Sequence, residues 1–128
     1  MSSSWTPHEL QRVNASNELV IAVRRADGTL RSGVPIWVVC VDQHVYVRTW
    51  YRRPNGWFGH ALRSRRARIE VSDLRADVTI ADLGEGTTEL RGAIDNAYRT
   101  KYASNGSSTI VQMVSDTAAA TTLRLEPE

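Results

Sequence analysis

Gly33-Val34-Pro35-Ile36-Trp37-Val38-Val39-Cys40-Val41, followed by Asp42-Gln43 and then His44-Val45-Tyr46-Val47-Arg48-Thr49-Trp50, is the stretch that decides the fold. Val34 to Val41 is continuously apolar, which is the pattern of a strand covered on both faces, and Pro35 belongs at a strand start because it donates no ladder hydrogen bond. The run is expected to form the central strand of a sheet. Asp42-Gln43 is a tight connection, after which the chain alternates. Val45, Val47 and Thr49 fall on one face; Tyr46, Arg48 and Trp50 fall on the other. Two aromatics bracketing an Arg can stack a planar ring, contact a phosphate or bury themselves against a second subunit.

Toward the N-terminus, Thr6-Pro7-His8-Glu9 has the signature of a helix start: a capping Thr, Pro in the first turn and Glu three residues on. That helix is expected to end near Asn14 to Asn17. Glu18 to Ala26 reads as a strand with Leu19, Ile21 and Val23 on one face, and Asp27-Gly28 as a turn. Toward the C-terminus, Pro54, Asn55, Gly56 and Gly59 make Tyr51 to Gly59 a loop, with one or two helical turns within Phe58 to Arg66. Strands Ala67 to Val71 and Ala76 to Leu83 follow, joined through Ser72-Asp73-Leu74. After Gly84-Glu85-Gly86, an amphipathic helix spans Thr88 to Ala103, with Leu90, Ala93, Ile94, Ala97, Tyr98 and Tyr102 on one face. Asn105-Gly106 stops it. Thr109 to Val114 and Thr121 to Leu125 both read as strands, with the small residues Thr117 to Ala120 between them. Six or seven short strands with two helices give an α+β chain, and so many short strands resolve their edges most simply by curling into a barrel.

The chain has 128 residues, the size of one domain, so a single domain over 1–128 is expected, with residues 1–5 flexible. At 41% hydrophobic and 23% charged residues it is neither disordered nor fibrous. There is no apolar run long enough to span a membrane and no secretion-signal pattern, so a cytoplasmic protein without a membrane partner is expected. The lone Cys40 lacks a disulfide or metal partner and reads as a buried small hydrophobe. The net charge is only +2, but no Asp or Glu lies between Asp42 and Glu70, where Arg48, Arg52, Arg53, Arg63, Arg65, Arg66 and Arg68 fall. Every other base except Lys101 is also Arg, whose planar guanidinium suits bidentate anion recognition. The window is either an anion site or a basic surface paired with acids elsewhere in the fold. Paired cysteines, His-Glu-x-x-His and Gly-x-Ser-x-Gly are all missing, and His8, His44 and His60 are too dispersed to argue a metal.

Three segments carry a family resemblance: Gly33 to Val39, Val45 to Trp50, and Asn55-Gly56-Trp57-Phe58-Gly59-His60-Ala61-Leu62. They resemble the flavin- and deazaflavin-binding split β-barrel superfamily, which includes pyridoxamine phosphate oxidases and deazaflavin-dependent nitroreductases. Ile94 to Tyr102 and Thr121 to Leu125 are similar to a small bacterial branch of uncharacterised domains in that superfamily. The resemblance implies a six- to seven-stranded split β-barrel with an N-terminal helix and one longer amphipathic helix, paired as a homodimer with its ligand at the seam. It implies Arg31, Ser32, Pro35, Arg48, Thr49, Arg52, Arg53 and Trp57 as cofactor contacts, FMN or a deazaflavin being the cofactor and its phosphate being held by the Arg48 to Arg53 region. A Pro-x-Trp-Tyr-His-Asn-Leu loop of the deazaflavin branch matches Pro54 to Leu62 with one extra residue and no Tyr after Trp57.

Three functions remain open on these residues. A flavin- or deazaflavin-dependent oxidoreductase would pass hydride to a small organic substrate, with Tyr51 and His60 as proton donors. A cofactor-free cyclase, isomerase or lyase would use a pocket lined by Trp37, Tyr46, Trp50 and Trp57, with acid and base drawn from His44, His60, Tyr51 or Arg48. A non-catalytic binding module, for a ligand or for single-stranded nucleic acid, ranks last, because Asp73, Asp77, Asp82, Glu85 and Glu89 follow the basic window. Tyr98 and Tyr102 are expected to face the core and Lys101 to make a structural ion pair.

Overall fold

The structure, a computed structural model, describes residues 4–49, 56–71, 74–104 and 107–128. Helix α1 (Pro7–Ala15) begins with a complete capping box: the Thr6 hydroxyl accepts from the Glu9 backbone N–H at 3.2 Å, and the Glu9 carboxylate accepts from the Thr6 N–H at 2.9 Å. The expected flexible lead does not include Trp5. Its ring is buried and its Nε1–H donates to the Leu125 carbonyl at 2.9 Å, fixing the helix to the far end of the chain.

Among the described residues seven strands form one antiparallel sheet: β1 (Leu19–Val23), β2 (Val34–Ile36), β3 (Val39–Val41), β4 (His44–Val47), β5 (Arg66–Val71), β6 (Leu74–Gly84) and β7 (Thr122–Pro127). The order is β2-β1-β5-β6-β7-β4-β3. The two edge strands, β2 and β3, are therefore consecutive in sequence, with only Trp37 and Val38 between them. Seven flat strands would set those edges about 28 Å apart. The link from Ile36 to Val39 reaches at most about 11 Å. The sheet has no choice but to curl, and the fold is a split β-barrel.

The expected single central strand Val34 to Val41 is thus corrected to two short strands at opposite edges. Its apolar continuity has the expected cause only from Ile36 onward, where both faces are covered, whereas Pro35 is exposed. Ile36 and Val38, with Val34 and Cys40, pack in the barrel interior; Trp37, Val39 and Val41 pack beneath helix α3 (Thr88–Lys101). The same division runs along β4, where Val45 and Val47 point into the barrel and Tyr46 lies beneath α3. Between β3 and β4, Asp42 (φ 48°) and Gln43 (φ 70°) both adopt left-handed backbone, the geometry of a two-residue hairpin turn whose twist matches the strands.

Further corrections concern the C-terminal region. Residues 109–114, expected as a strand, belong to helix α4 (Ser107–Met113) except for Val114 just past its end, and residues 117–120 largely to the short helix α5 (Asp116–Ala119), so the described residues hold five helices, α2 being Trp57–Ser64. The β-branched run Thr109-Ile110-Val111 carries strand propensity, but tertiary packing overrides it. Ile110, Met113 and Val114, at helical spacing, join the core under α3, while Val111 is left 64% exposed. Ser115 caps α5 by accepting from the Ala118 N–H at 3.2 Å. Among the described residues no helix is long and apolar enough to cross a membrane.

Closing the barrel buries the linking peptide at Val38, which must still be hydrogen-bonded. The Val38 N–H donates to the Tyr102 hydroxyl at 3.0 Å, and the Val38 carbonyl accepts from Lys101 Nζ at 2.7 Å. Tyr102 passes its own proton to the Asn17 carbonyl at 2.6 Å, and its ring stacks on Trp37 at 3.8 Å between centroids. Tyr98 and Tyr102 are both fully buried, as their helical spacing predicts. Lys101, expected in an ion pair, instead serves two carbonyls, those of Val38 and Val13. Burial pushes its amino group down to about 8 from 10.5 and the Tyr102 phenol up to about 12 from 10.0.

The two shifts act on stability in opposite senses. Unfolding lets Lys101 take up a proton between its folded value near 8 and its ordinary 10.5, so its contribution to stability rises with pH through that window. Tyr102 ionises more readily when unfolded, so its contribution falls from 10 toward 12. Urea-unfolding free energies should therefore climb from pH 8 to 9, above which ionisation of the unfolded Cys40 thiol opposes the gain, and Lys101→Met should flatten the climb. Tyr102→Phe, which leaves the buried Val38 N–H without its acceptor, should cost about 1 to 3 kcal/mol in the same assay.

Candidate functional site

Arg48 follows β4 at the position where the alternation turns its side chain toward α3, and it is 1% exposed. Its Nε–H donates to Thr122 Oγ1 at 3.0 Å, and Nη1 to Asp95 Oδ1 at 2.5 Å and to the Met113 carbonyl at 3.1 Å. The guanidinium also lies 5.7 Å from the Tyr98 ring centroid. Nη2 has no partner among the described residues. Asp95 therefore compensates the charge internally, and Arg91, with Nε 3.6 Å from Asp95 Oδ2, extends the network to Glu85 and Asp116. Thr49 is joined to Thr121 in both directions at 2.9 Å.

Arg48 and Thr49 nonetheless help to line a cavity of about 230 Å³, together with Pro35, Trp37, Trp57 and Glu18. Five of the residues singled out in the sequence thus meet in one hollow: Pro35, Trp37, Arg48, Thr49 and Trp57. Trp57, at the start of α2, also lines a second hollow of about 340 Å³ with Arg31, Ser32 and His60. Arg31 and His60 continue into a third, of about 370 Å³. The three hollows share walls and run from Trp37 past Trp57 to Arg31. Gly33 lies beside this path, where a Cβ would come within 2.6 Å of a Val20 methyl.

His60 Nδ1 lies 2.7 Å from Arg63 Nη2. A guanidinium only donates, so Nδ1 is the acceptor and a neutral ring carries its proton on Nε2. Tyr46, expected to line a substrate pocket, is a core residue, 2% exposed and packed with Val39 and Ile94. Trp50, Tyr51, Arg52 and Arg53 lie outside the described residues. His44 is exposed on the hairpin. Among the described residues no group of His, Cys, Asp and Glu could hold a metal ion. Burial raises the Cys40 thiol above its ordinary value, as suits a packing residue rather than a nucleophile.

The acid-free Arg window is largely neutralised by acids from other parts of the chain. Arg48 meets Asp95, Arg66 meets Glu128 at 3.0 Å, Arg68 meets Asp77 at 3.0 Å and Arg65 approaches Asp82 at 4.0 Å. Arg31, outside the window, is different: its side chain has no hydrogen bond or ion pair among the described residues, and its Nε is buried without an acceptor. Sequence reasoning missed Asp95, Thr121 and Thr122. Asp95 did carry a signal, as an acid beside Ile94 on the apolar stripe of α3, where only a buried cation could hold it.

The sequence pattern of a family described as uncharacterised proteins conserved in bacteria (DUF2255) matches residues 9–125. No curated protein matches the chain. Among solved structures, a conserved hypothetical protein of Mycobacterium tuberculosis superposes with a TM-score of 0.58 at 13% identity, covering 99% of this chain and 82% of that one. A candidate 5-nitroimidazole antibiotic resistance protein of Bacteroides thetaiotaomicron gives 0.59 at 13% identity, covering 95% and 79%. An FAD-binding protein of Mesorhizobium loti gives 0.52 at 14% identity, covering 99% and 91%. At these identities the likeness establishes the split-barrel fold.

Removing one member of a buried ion pair strands the other. Asp95→Ala should lower stability by about 3 kcal/mol or more, measured by chemical denaturation, whereas Arg48→Met combined with Asp95→Leu should stay within about 1 kcal/mol of the parent.

Proposed function

Since the chain belongs to this bacterial family (DUF2255) and folds as a split barrel, we propose that it binds a flavin or deazaflavin along the path from Arg31 to Trp37 and acts as an oxidoreductase on a small organic substrate. The observation that carries the reading is Arg31: a guanidinium without a carboxylate partner among the described residues, set in a hollow whose next wall is the Trp57 indole. A cation and an aromatic plate in succession match a ligand with an anionic end and a planar end. The structural likeness to a protein described as FAD-binding supports it.

A bound flavin-type ring would supply hydride chemistry, leaving the protein to bind, orient and protonate. Arg31 and Ser32, with Arg52 and Arg53, take the phosphate end. Pro35 and Trp57 bound the ring, and Arg48 and Thr49 close its far side without adding net charge, because Asp95 already balances Arg48. Trp37 and Trp50 flank the substrate. His60, with Nδ1 held against Arg63, and Tyr51 are the proton donors. The balanced charge at Arg48 also favours a second reading, cofactor-free chemistry on an uncharged compound in the hollow at Trp37.

A twin subunit belongs to the proposal through the resemblance alone. The aromatic face of His44 to Trp50 no longer argues for it, because α3 covers Tyr46 and Arg48. Light scattering at micromolar concentration should give a dimer mass; a monomer would remove this part.

Titration with FMN, FAD and the deazaflavin, followed by cofactor fluorescence and the visible spectrum, should show saturable binding of one of them. Arg31→Ala should weaken it about tenfold or more, the loss of a charged hydrogen bond. Failure of all three to bind would sink the redox reading in favour of the cofactor-free one.

A further inference from the structure

The third hollow has a lining unlike the other two. Arg24, Arg25, Arg31, Arg63 and Arg66 surround about 370 Å³ together with His60, and no described residue of the lining is acidic. Neighbouring carboxylates fall short of balancing Arg24, Arg25, Arg31 and Arg66. Asp77 serves both Arg24, at 2.7 Å, and Arg68, at 3.0 Å, so one negative charge faces two positive ones. Glu128 balances Arg66. Asp27, the acid nearest in sequence, turns Oδ1 to the backbone N–H and hydroxyl of Thr29. Arg25 and Arg31 have no carboxylate within ion-pair distance among the described residues.

The bowl is also built in advance. Arg24 Nη1 donates to the Gly28 carbonyl at 2.7 Å, and Arg25 Nη1 to the Leu30 carbonyl at 2.9 Å, which fixes both side chains against their own hairpin. Gly28, at φ 89°, supplies the turn that brings these carbonyls back. A concave cluster of guanidiniums, two of them held in place and together carrying a surplus of positive charge, is complementary to a group bearing more than one negative charge, and its fork-shaped donors suit phosphate oxygens.

We propose that this bowl is a diphosphate site: it takes a pyrophosphate ester, as found in a dinucleotide or a nucleoside diphosphate, in preference to a monophosphate. The site shares Arg31 and His60 with the proposed cofactor path but does not depend on a redox cofactor. One phosphate satisfies Arg31 and Arg25 from the hairpin, and the second meets the side contributed by Arg63 at the end of α2 and Arg66 at the start of β5.

Calorimetric titration with inorganic pyrophosphate and with orthophosphate, at matched ionic strength, separates this proposal from the flavin reading because neither probe carries a ring. Pyrophosphate should bind at least tenfold more tightly than orthophosphate. The double variant Arg25→Ala with Arg31→Ala should lose about tenfold or more of that affinity, as should Arg63→Ala from the other wall, with far-ultraviolet circular dichroism unchanged. Arg99→Ala, an exposed site on α3, should bind like the parent. Equal affinity for the two probes, binding of neither, binding indifferent to the bowl variants, or tighter binding of a single-stranded oligonucleotide that grows with its length would each overturn the assignment.

Discussion

A sheet whose first and last strands are neighbours in sequence must bury the peptide that joins them, and the rest of this fold is arranged around that requirement. The Val38 N–H and carbonyl cannot pair within the sheet, because β2 ends before the residue and β3 starts after it. The C-terminal end of α3 supplies both partners, Tyr102 as acceptor and Lys101 as donor. Each buried peptide group left unpaired costs about 1 to 3 kcal/mol, a large fraction of a protein's net stability, so the helix is a covalently distant but necessary part of the barrel. Its register on the sheet follows. With Tyr102 fixed over Val38 and stacked on Trp37, one helical turn back Tyr98 lies over Arg48, and Asp95 lies within reach of the same guanidinium.

That register sets the character of the neighbouring cavity. Arg48 would be a phosphate ligand if its charge were open, but Asp95 balances it, and the surplus positive charge of the path lies at its other end, around Arg31. The groove is therefore polarised along its length. One end, between Trp37 and Trp57, is aromatic, with Glu18 on its wall and Arg48 balanced by Asp95; the other is strongly basic and carried on the β1–β2 hairpin and α2. Such a gradient orients an amphipathic ligand before any specific contact is made.

Local signals were legible in the sequence where a single residue fixes the backbone or a period fixes a face. Thr6 and Glu9 declared the first helix, Asp42-Gln43 the hairpin, and the stripe from Leu90 to Tyr102 the long helix with its buried tyrosines. Pro35, Trp37, Arg48, Thr49 and Trp57, named from the sequence as cofactor or substrate contacts, line one hollow. What escaped was decided by contacts distant in sequence. The break at Trp37-Val38 is invisible in an apolar run, because two short edge strands that are both apolar look like one central strand. Residues 109–114 have strand-forming side chains and become helical only because Ile110 and Met113 find a core under α3. The Arg window looked uncompensated because its acids, Asp95, Asp77 and Glu128, come from elements that sequence spacing cannot place beside it.

The Arg48–Asp95 pair also constrains how this chain can drift. Either residue alone, exchanged for an apolar or uncharged one, leaves a charge stranded beneath α3, while the paired exchange is tolerable. The two codons, 47 positions apart, are thus separated from any viable alternative by an intermediate of low fitness. Substitutions at one position should be visible across descendants only alongside substitutions at the other, so the polarity of the aromatic cavity is inherited as a unit.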